Sequence, residues 1–265
     1  MSKTVARCLT AICQGLTLPM ARLKRFETLA QAHQLMDIQR SVPAHGEEIR
    51  FYTSSKWVAK YTGNESSLED DTLSWIDGMN SDDVLWDIGA NIGIYSIYAA
   101  KKGLEVLAFE PAHSNYYALC RNAQLNRCDD RIRTLPLAFS DHSGLEQIFL
   151  TSSDAGSALH AVGVKENIYG SFAPTAQHSV VSLTMDNFVA WFGISPPTHI
   201  KLDVDSIELL ILQGGPETLA KVKSVLVEIE EIAKSDNEIH MLLTDAGFTL
   251  SAHSDADSRN AIYER

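Results

Sequence analysis

VLWDIGANIGIYSIYAA, Val84 to Ala100, joins two apolar runs through a short turn that carries two glycines. The first run, VLWDI, is short and follows the turn residues Asn80-Ser81-Asp82-Asp83, so it reads as a buried strand. Gly89 and Gly93 mark the turn, and Ile94–Lys102 reads as a helix. Strand, glycine turn and helix in this order are how a nucleotide-type cofactor is commonly held.

Outward from this unit the alternation continues. LEVLAFE (104–110) is a strand, Ser114–Leu125 a helix, IRTLPLAF (132–139) a strand and LEQIFL (145–150) another. HSVVSLT (178–184) is a strand, MDNFVAWF (185–192) a helix and THIKLDV (198–204) a strand. Ser206–Ala220 is helical with a break near Gly214-Gly215-Pro216. VKSVLVEIE is a strand, Asn237–Ala246 a helix stopped by Gly247, and FTLSAH and NAIYER are two final strands. Alternating strands and helices predict an α/β fold, a largely parallel sheet with helices on both faces and a ligand at the carboxyl ends of the strands.

Residues 1–80 read as a helical N-terminal extension ahead of a domain over 81–265. Leu23, Phe26, Leu29, Ala30 and His33 fall near helical spacing, Ser41–Gly46 breaks that helix, EEIRFYT is a short strand and Ser67–Met79 a helix. Residues 151–177, rich in Ser, Gly and Ala, exceed a plain connection and are expected to form a functional loop that orders over a ligand.

The glycine turn discriminates between cofactors. A dinucleotide turn reads GxGxxG, its second glycine admitting a pyrophosphate and its third allowing close helix–strand packing. Here those two positions are Asn91 and Ile94. Asp87 stands just before the turn, where a carboxylate repels a pyrophosphate but suits a cofactor with a sulfonium and an ammonium, such as S-adenosylmethionine. Glu110 ends LEVLAFE, 17 residues after Gly93, where it can accept from both hydroxyls of a ribose. That position fits NAD as well as S-adenosylmethionine.

Composition removes other classes. Lys plus Arg number 22 against 34 Asp plus Glu, a net charge of −12, a poor footprint for nucleic acid. Cys8, Cys13, Cys120 and Cys128 form no CxxC pair and read as reduced thiols of a cytoplasmic protein. VARCLTAICQGLTLP is shorter than the ~20 residues of a bilayer span and is interrupted by Arg7 and Gln14, so a surface helix is expected and no membrane insertion.

The chain resembles the FkbM family of S-adenosylmethionine-dependent methyltransferases, of the class I superfamily. The resemblance rests on DIGANIGIYSIYAA, AFEP (108–111), NAQLN (122–126), LAFSD (137–141), SLTMDNF (182–188), IKLDVDSIELLILQGG (200–215) and VEIEE (227–231), from about residue 80 to the end. It implies a Rossmann-like, seven-stranded, mostly parallel sheet with the last strand antiparallel. It implies that Asp87, Gly89, Asn91 and Gly93, with Ala90, cradle the methionine part. Glu110, beside Pro111, would hold the ribose, and Ser140 and Asp141 would lie near the adenine. It also implies methylation of a hydroxyl on a small molecule, secondary metabolite or sugar. The family pattern iKiDvEGaE is altered at two positions, Asp205 for Glu and Ser206 for Gly, and loss of that glycine removes easy access to positive φ.

On THIKLDV side chains alternate, so Lys201 and Asp203 share a face. Asp203 is the candidate base for an acceptor hydroxyl and Lys201 its anchor; the alternative is a structural ion pair. Asp205 and Glu208 are candidates for capping the following helix, and with Asp203 for a divalent ion. Nothing else points to a metal, and none is expected. His142, His160, His178 and His199 read as surface or packing residues, with His160 placed in the long loop. A non-catalytic cofactor-binding relative and an NAD-dependent oxidoreductase are the rival readings. The partner is a small-molecule or glycan acceptor.

Overall fold

Two helices open the chain, α1 (Ser2–Thr17) and α2 (Arg22–Leu35). Pro19, which cannot continue a helix, lies in the turn between them, and Arg25 Nε donates to Thr17 Oγ1 at 3.4 Å. They belong to a compact unit, Met1–Gln39, separate from a second, Arg40–Arg265. The computed structural model describes residues 2–35, 37–63, 68–229, 235–251 and 259–265.

Next comes a two-stranded sheet, β1 (Gln39–Ala44) and β2 (Glu47–Tyr52), turned at His45 and Gly46 with φ of 43° and 86°, whose residues from Arg40 on belong to the second unit. Two successive positive φ values are what a tight hairpin turn needs. α3 (Lys56–Tyr61) follows, with the Ser55 side chain accepting from the N–H groups of Trp57 and Val58, and then α4 (Asp70–Asp77).

The alternating elements are β3 (Val84–Ile88), α5 (Ile94–Lys101), β4 (Glu105–Phe109), α6 (His113–Leu125) and β5 (Ile132–Leu135). After β6 (Leu137–Phe139) and β7 (Gly144–Leu150) come three two-residue strands, β8 (Ala161–Val162), β9 (Glu166–Asn167) and β10 (Gly170–Ser171). β11 (Ala176–Leu183), α7 (Met185–Phe192), β12 (His199–Leu202), α8 (Glu208–Gln213) and α9 (Pro216–Leu219) lead to β13 (Ser224–Glu228). α10 (Ser235–Asp245), β14 (Thr249–Leu250) and β15 (Asn260–Glu264) complete the unit.

The main sheet has seven strands in the order β14-β15-β13-β12-β3-β4-β5. β13, β12, β3, β4 and β5 are parallel, and β15 runs antiparallel to both β13 and β14. Side chains alternate across it. Leu85, Val106, Ala108, Leu226 and Ile262 join α4, α5, α6 and the β1–β2 hairpin in one core. Trp86, Leu107, Phe109, Val225, Val227 and Tyr263 join α7, α8, α9 and α10 in the other. A strand buried on both faces reads as a near-continuous apolar run, and in VLWDI and SVLVE the polar residues Asp87, Ser224 and Glu228 fall at or next to the strand ends.

Three elements differ from the expectation. Residues 40–80, read as part of an extension, place Val42, Ile49, Phe51, Val58, Trp75 and Ile76 in the core shared with Leu85. Of Ser41–Gly46, read as a break, residues 41–44 belong to the strand QRSVPA and only His45 and Gly46 form a turn; Pro43 is tolerated in the two-stranded pair. IRTLPLAF divides at Pro136, because proline donates no ladder hydrogen bond: β5 stays in the main sheet and β6 enters a second sheet ordered β6-β11-β7-β8. Ser67 of the expected helix, Glu230 and Glu231 of VEIEE, and Ala252 and His253 of FTLSAH lie outside the described residues.

β3 and β12 are neighbours, and the chain beyond each runs in contact with the other. Gly89 has φ +87°, and a Cβ there would stand 1.8 Å from the Asp203 carbonyl oxygen. Gly89→Ala is therefore expected to destabilise the protein by at least about 2 kcal/mol, combining a strained φ with a backbone clash. A urea unfolding midpoint equal to that of the wild type would show that the two strand ends are free to part.

Candidate functional site

The carboxyl ends of β3, β4, β12 and β13 open into a cavity of about 240 Å³. Asp87, at the end of β3, is 1% exposed. Its Oδ2 accepts from Ser96 Oγ at 2.5 Å, while Oδ1 is buried without a hydrogen-bond partner. Burial pushes its pKa up against the pull of Lys201. An unpaired buried carboxylate oxygen on a cavity wall is a place for a donor to bind.

The glycine turn follows. φ is positive at Gly89, Asn91 (50°) and Gly93 (88°), so the chain coils back on itself and delivers Ile94 into α5. Asparagine tolerates this left-handed region, which answers how Asn91 stands where a dinucleotide turn has glycine. Gly89, Ala90 and Asn91 line the cavity; Gly93 does not, and a Cβ there would meet Leu119 at 2.5 Å.

Glu110, one residue past β4, is 5% exposed and lines the cavity with Pro111. Its Oε2 accepts from Asn91 N at 2.8 Å and its Oε1 from Ala112 N at 2.7 Å. Each oxygen keeps a second lone pair. Burial raises its pKa to about 7 against those two N–H groups. Glu110 therefore clamps the glycine turn as well as facing the cavity. Ser140 and Asp141 do not line it; Leu137, Ala138 and Phe139 do. Ser140 N donates to Leu183 O, and Asp141 pairs with His142 at 2.6 Å, which turns both residues into the second sheet's own bonding.

On β12, Lys201 sits beside Asp87 in register and is 1% exposed. Its Nζ reaches Asp203 Oδ2 at 2.7 Å and lies 4.9 Å from the centre of the Tyr95 ring. Burial alone would lower its pKa; Asp203, Asp87 and Glu69 more than reverse this and raise it. Burial likewise works against ionisation of Asp203, yet Lys201 and a hydrogen bond with Glu228 hold its pKa below the ordinary value. Glu228 is pushed up to about 9 by burial and by Asp203. Lys201 thus favours the ionised form of Asp203, while burial and Asp203 favour the protonated form of Glu228, so the two carboxyls titrate as a pair.

Among the described residues, one group of candidate metal ligands has its atoms mutually within 4.8 Å: Asp203, Asp205 and Glu228. Glu208, which the sequence placed with the two aspartates, turns back instead and accepts from Val204 N at 3.0 Å. Lys201 and Arg259, whose Nη2 is 3.1 Å from Glu228, bring positive charge to the group.

Asp205 does not cap α8. It has φ +68°, and its Oδ2 accepts from Leu159 N at 2.7 Å. The left-handed conformation falls on Asp205, so Ser206 in place of glycine brings no strain at positive φ. Burial and Asp203 raise the Asp205 pKa to about 6. Leu159 belongs to the long excursion between β7 and β11, of which Ala158, His160 and Val162 line the cavity. Asn91 Nδ2 and Asn115 Nδ2 both donate to Ser157 O, at 3.2 and 3.0 Å, and Gly156 N donates to Asn115 Oδ1 at 2.8 Å. His160 Nδ1 accepts from Thr151 N at 3.3 Å, leaving Nε2, 3.1 Å from Ser157 Oγ, as the protonated nitrogen. Burial, then His113 and His178, lower the His160 pKa to about 4.

Sequence reasoning missed Tyr61, Glu69, Tyr95, Asn115, Glu228 and Arg259, all of which line the cavity. Only Glu228 carried a local signal, a carboxylate ending an apolar strand next in the sheet to THIKLDV.

A family model described as "Methyltransferase FkbM domain" matches residues 87–250. The hexuronic acid methyltransferase AglP of Haloferax volcanii is 28% identical over 62% of this chain and 63% of its own. The 31-O-demethyl-FK506 methyltransferase FkbM of Streptomyces tacrolimicus is 28% identical over 65% of this chain and 75% of its own. The crystal structure of methyltransferase FkbM from Methylobacillus flagellatus KT matches with a TM-score of 0.49 and 16% identity, over 71% of this chain and 44% of that one. The chain thus spans less than two thirds of the Haloferax and Methylobacillus proteins. With more than half of its length matched by the family model, the chain belongs to the FkbM methyltransferase family.

Proposed function

We propose that the protein is an S-adenosylmethionine-dependent methyltransferase acting on a hydroxyl of a small molecule or sugar. The observation that carries this reading is the buried, unpartnered Asp87 Oδ1 beside the glycine turn, on the residue that lies opposite Lys201 in strand register. An acceptor-only oxygen at the turn fits the ammonium of the cofactor's amino-acid head and disfavours a pyrophosphate. Asp87 with Gly89, Ala90 and Asn91 would hold the methionine part, Gly93 serving the turn into α5, and the free lone pairs of Glu110 would hold the ribose hydroxyls. Leu137–Phe139, in place of Ser140 and Asp141, would flank the adenine. When bound, the cofactor supplies an electrophilic methyl group. The names of the Haloferax and Streptomyces relatives, for a hexuronic acid and for 31-O-demethyl-FK506, support a sugar or secondary-metabolite hydroxyl as acceptor.

The chain's own groups orient the acceptor and manage its proton. Asp203, kept ionised by Lys201 and Glu228, accepts the hydroxyl proton as the oxygen attacks. Lys201 fixes the carboxylate through its 2.7 Å contact. Ala158, His160 and Val162 form the wall nearest the excursion and keep water from the reacting oxygen.

Isothermal titration is expected to show saturable binding of S-adenosylhomocysteine and none of NAD; the opposite pattern would overturn the cofactor assignment. Asp203→Asn should lower turnover by about 10²–10⁴-fold with little change in cofactor affinity. Lys201→Met removes a cation that favours the ionised carboxylate, so the acidic limb of the pH–rate profile should move to higher pH. A rate for Asp203→Asn within several-fold of wild type would leave proton removal to solvent.

The excursion should respond to pH through His160. Its folded pKa lies below the ordinary 6.5, so its contribution is intact above 6.5 and weakens as pH falls toward about 4. Hydrogen exchange of residues 156–162 is expected to accelerate over that window in the wild type and to lose this dependence in His160→Gln. Identical profiles for the two proteins would remove His160 from the stability of the wall.

A further inference from the structure

Half of the exposed large apolar side chains, ten of twenty among the described residues, fall in the 39 residues of the first unit. On α1, Val5, Leu9, Ile12 and Leu16 are 53–74% exposed. Their spacing of four, three and four residues puts them on one side of the helix. Lys3 and Arg7 fall on the opposite side. The segment that follows, Leu16 to Phe26 (LTLPMARLKRF), interleaves exposed Leu18, Met20, Leu23 and Phe26 with Arg22, Lys24 and Arg25.

The charge is as uneven as the hydrophobicity. The unit holds five of the 22 Lys and Arg and two of the 34 Asp and Glu, a net +3; the remaining residues carry 17 and 32, a net −15. The polarity of the acidic remainder opposes approach to any anionic surface. The apolar edge with its basic residues does the reverse.

We propose that the first unit is an interfacial module that seats the protein on an anionic phospholipid surface. The stripe of α1 and the Leu18–Phe26 segment enter the boundary between headgroups and acyl chains, while Arg22, Lys24 and Arg25 meet lipid phosphates. The module lies on the membrane and does not cross it: among the described residues no helix is long and apolar enough to span a bilayer. A second copy of the chain is a poorer occupant, because it would bring two units of net +3 together. Nucleic acid would use the basic residues and leave the apolar stripe in water.

The test is cosedimentation of the full chain with vesicles of phosphatidylglycerol and phosphatidylcholine, and with vesicles of phosphatidylcholine alone. Binding is expected only to the first, with at least a tenfold fall in partition coefficient between 50 and 500 mM salt, roughly as screening of surface charge predicts. Leu9→Asp/Ile12→Asp and, independently, Arg22→Glu/Lys24→Glu should each weaken it tenfold or more while the circular dichroism spectrum and unfolding midpoint stay unchanged. Equal binding to both vesicle types, binding to neither, or indifference to the charge reversals overturns the proposal. So does sedimentation equilibrium showing a dimer that Leu9→Asp/Ile12→Asp dissolves, which would make this face a contact between copies. If the aspartate variant melts, the stripe is packed in the folded chain, and the charge-reversal variant still decides the electrostatic half.

Discussion

A lysine ammonium out of water is the constraint around which the carboxyl end of the central strands is built. Lys201 is 1% exposed, and a charge in that position is tolerated only where partners replace its hydration. Asp203 supplies a direct contact, Asp87 stands beside it in strand register, and the Tyr95 ring covers it. Those partners come from β3, β12 and α5, so the ion pair fixes how three elements meet. The Asp203 backbone also lies close against the glycine turn, and a side chain at residue 89 would hold it away.

The carboxyl groups nearby are separated by environment rather than by type. Asp203 lies next to the cation and is held below the ordinary carboxylate range, Glu228 beside it is pushed up to about 9, and Asp205 falls between, at about 6. Three acids within 4.8 Å of one another would repel strongly if all were ionised. Proximity to Lys201 therefore sets the order in which these carboxyls give up their protons.

Much of this was legible in the residues, and the parts that were not have identifiable causes. VLWDI, LEVLAFE and SVLVE announced themselves because strands buried on both faces are predominantly apolar. Asp87, Asn91, Glu110, Lys201 and Asp203 were found because their place at strand ends follows from local pattern. Pro136 hid a change of sheet, since β5 and β6 are contiguous in sequence and both apolar. QRSVPA concealed a strand because its partner lies only across a two-residue turn and its proline argues against a ladder. Asn115, Tyr61 and Arg259 reach the cavity from elements whose packing no short-range periodicity encodes. Ser140 and Asp141, which family position puts near the adenine, lie just beyond the cavity-lining Leu137–Phe139, with Ser140 N bonded to Leu183 O and Asp141 paired with His142.

The carbonyl of Ser157 receives two amide donors, one from Asn91 in the glycine turn and one from Asn115 on α6. This joins the floor of the cavity to its outer wall through a single backbone oxygen. Asn91 therefore cannot turn away from Ser157 without leaving Asn115 as the remaining side-chain amide donor to that carbonyl, so the glycine turn and the excursion are tied at one shared acceptor.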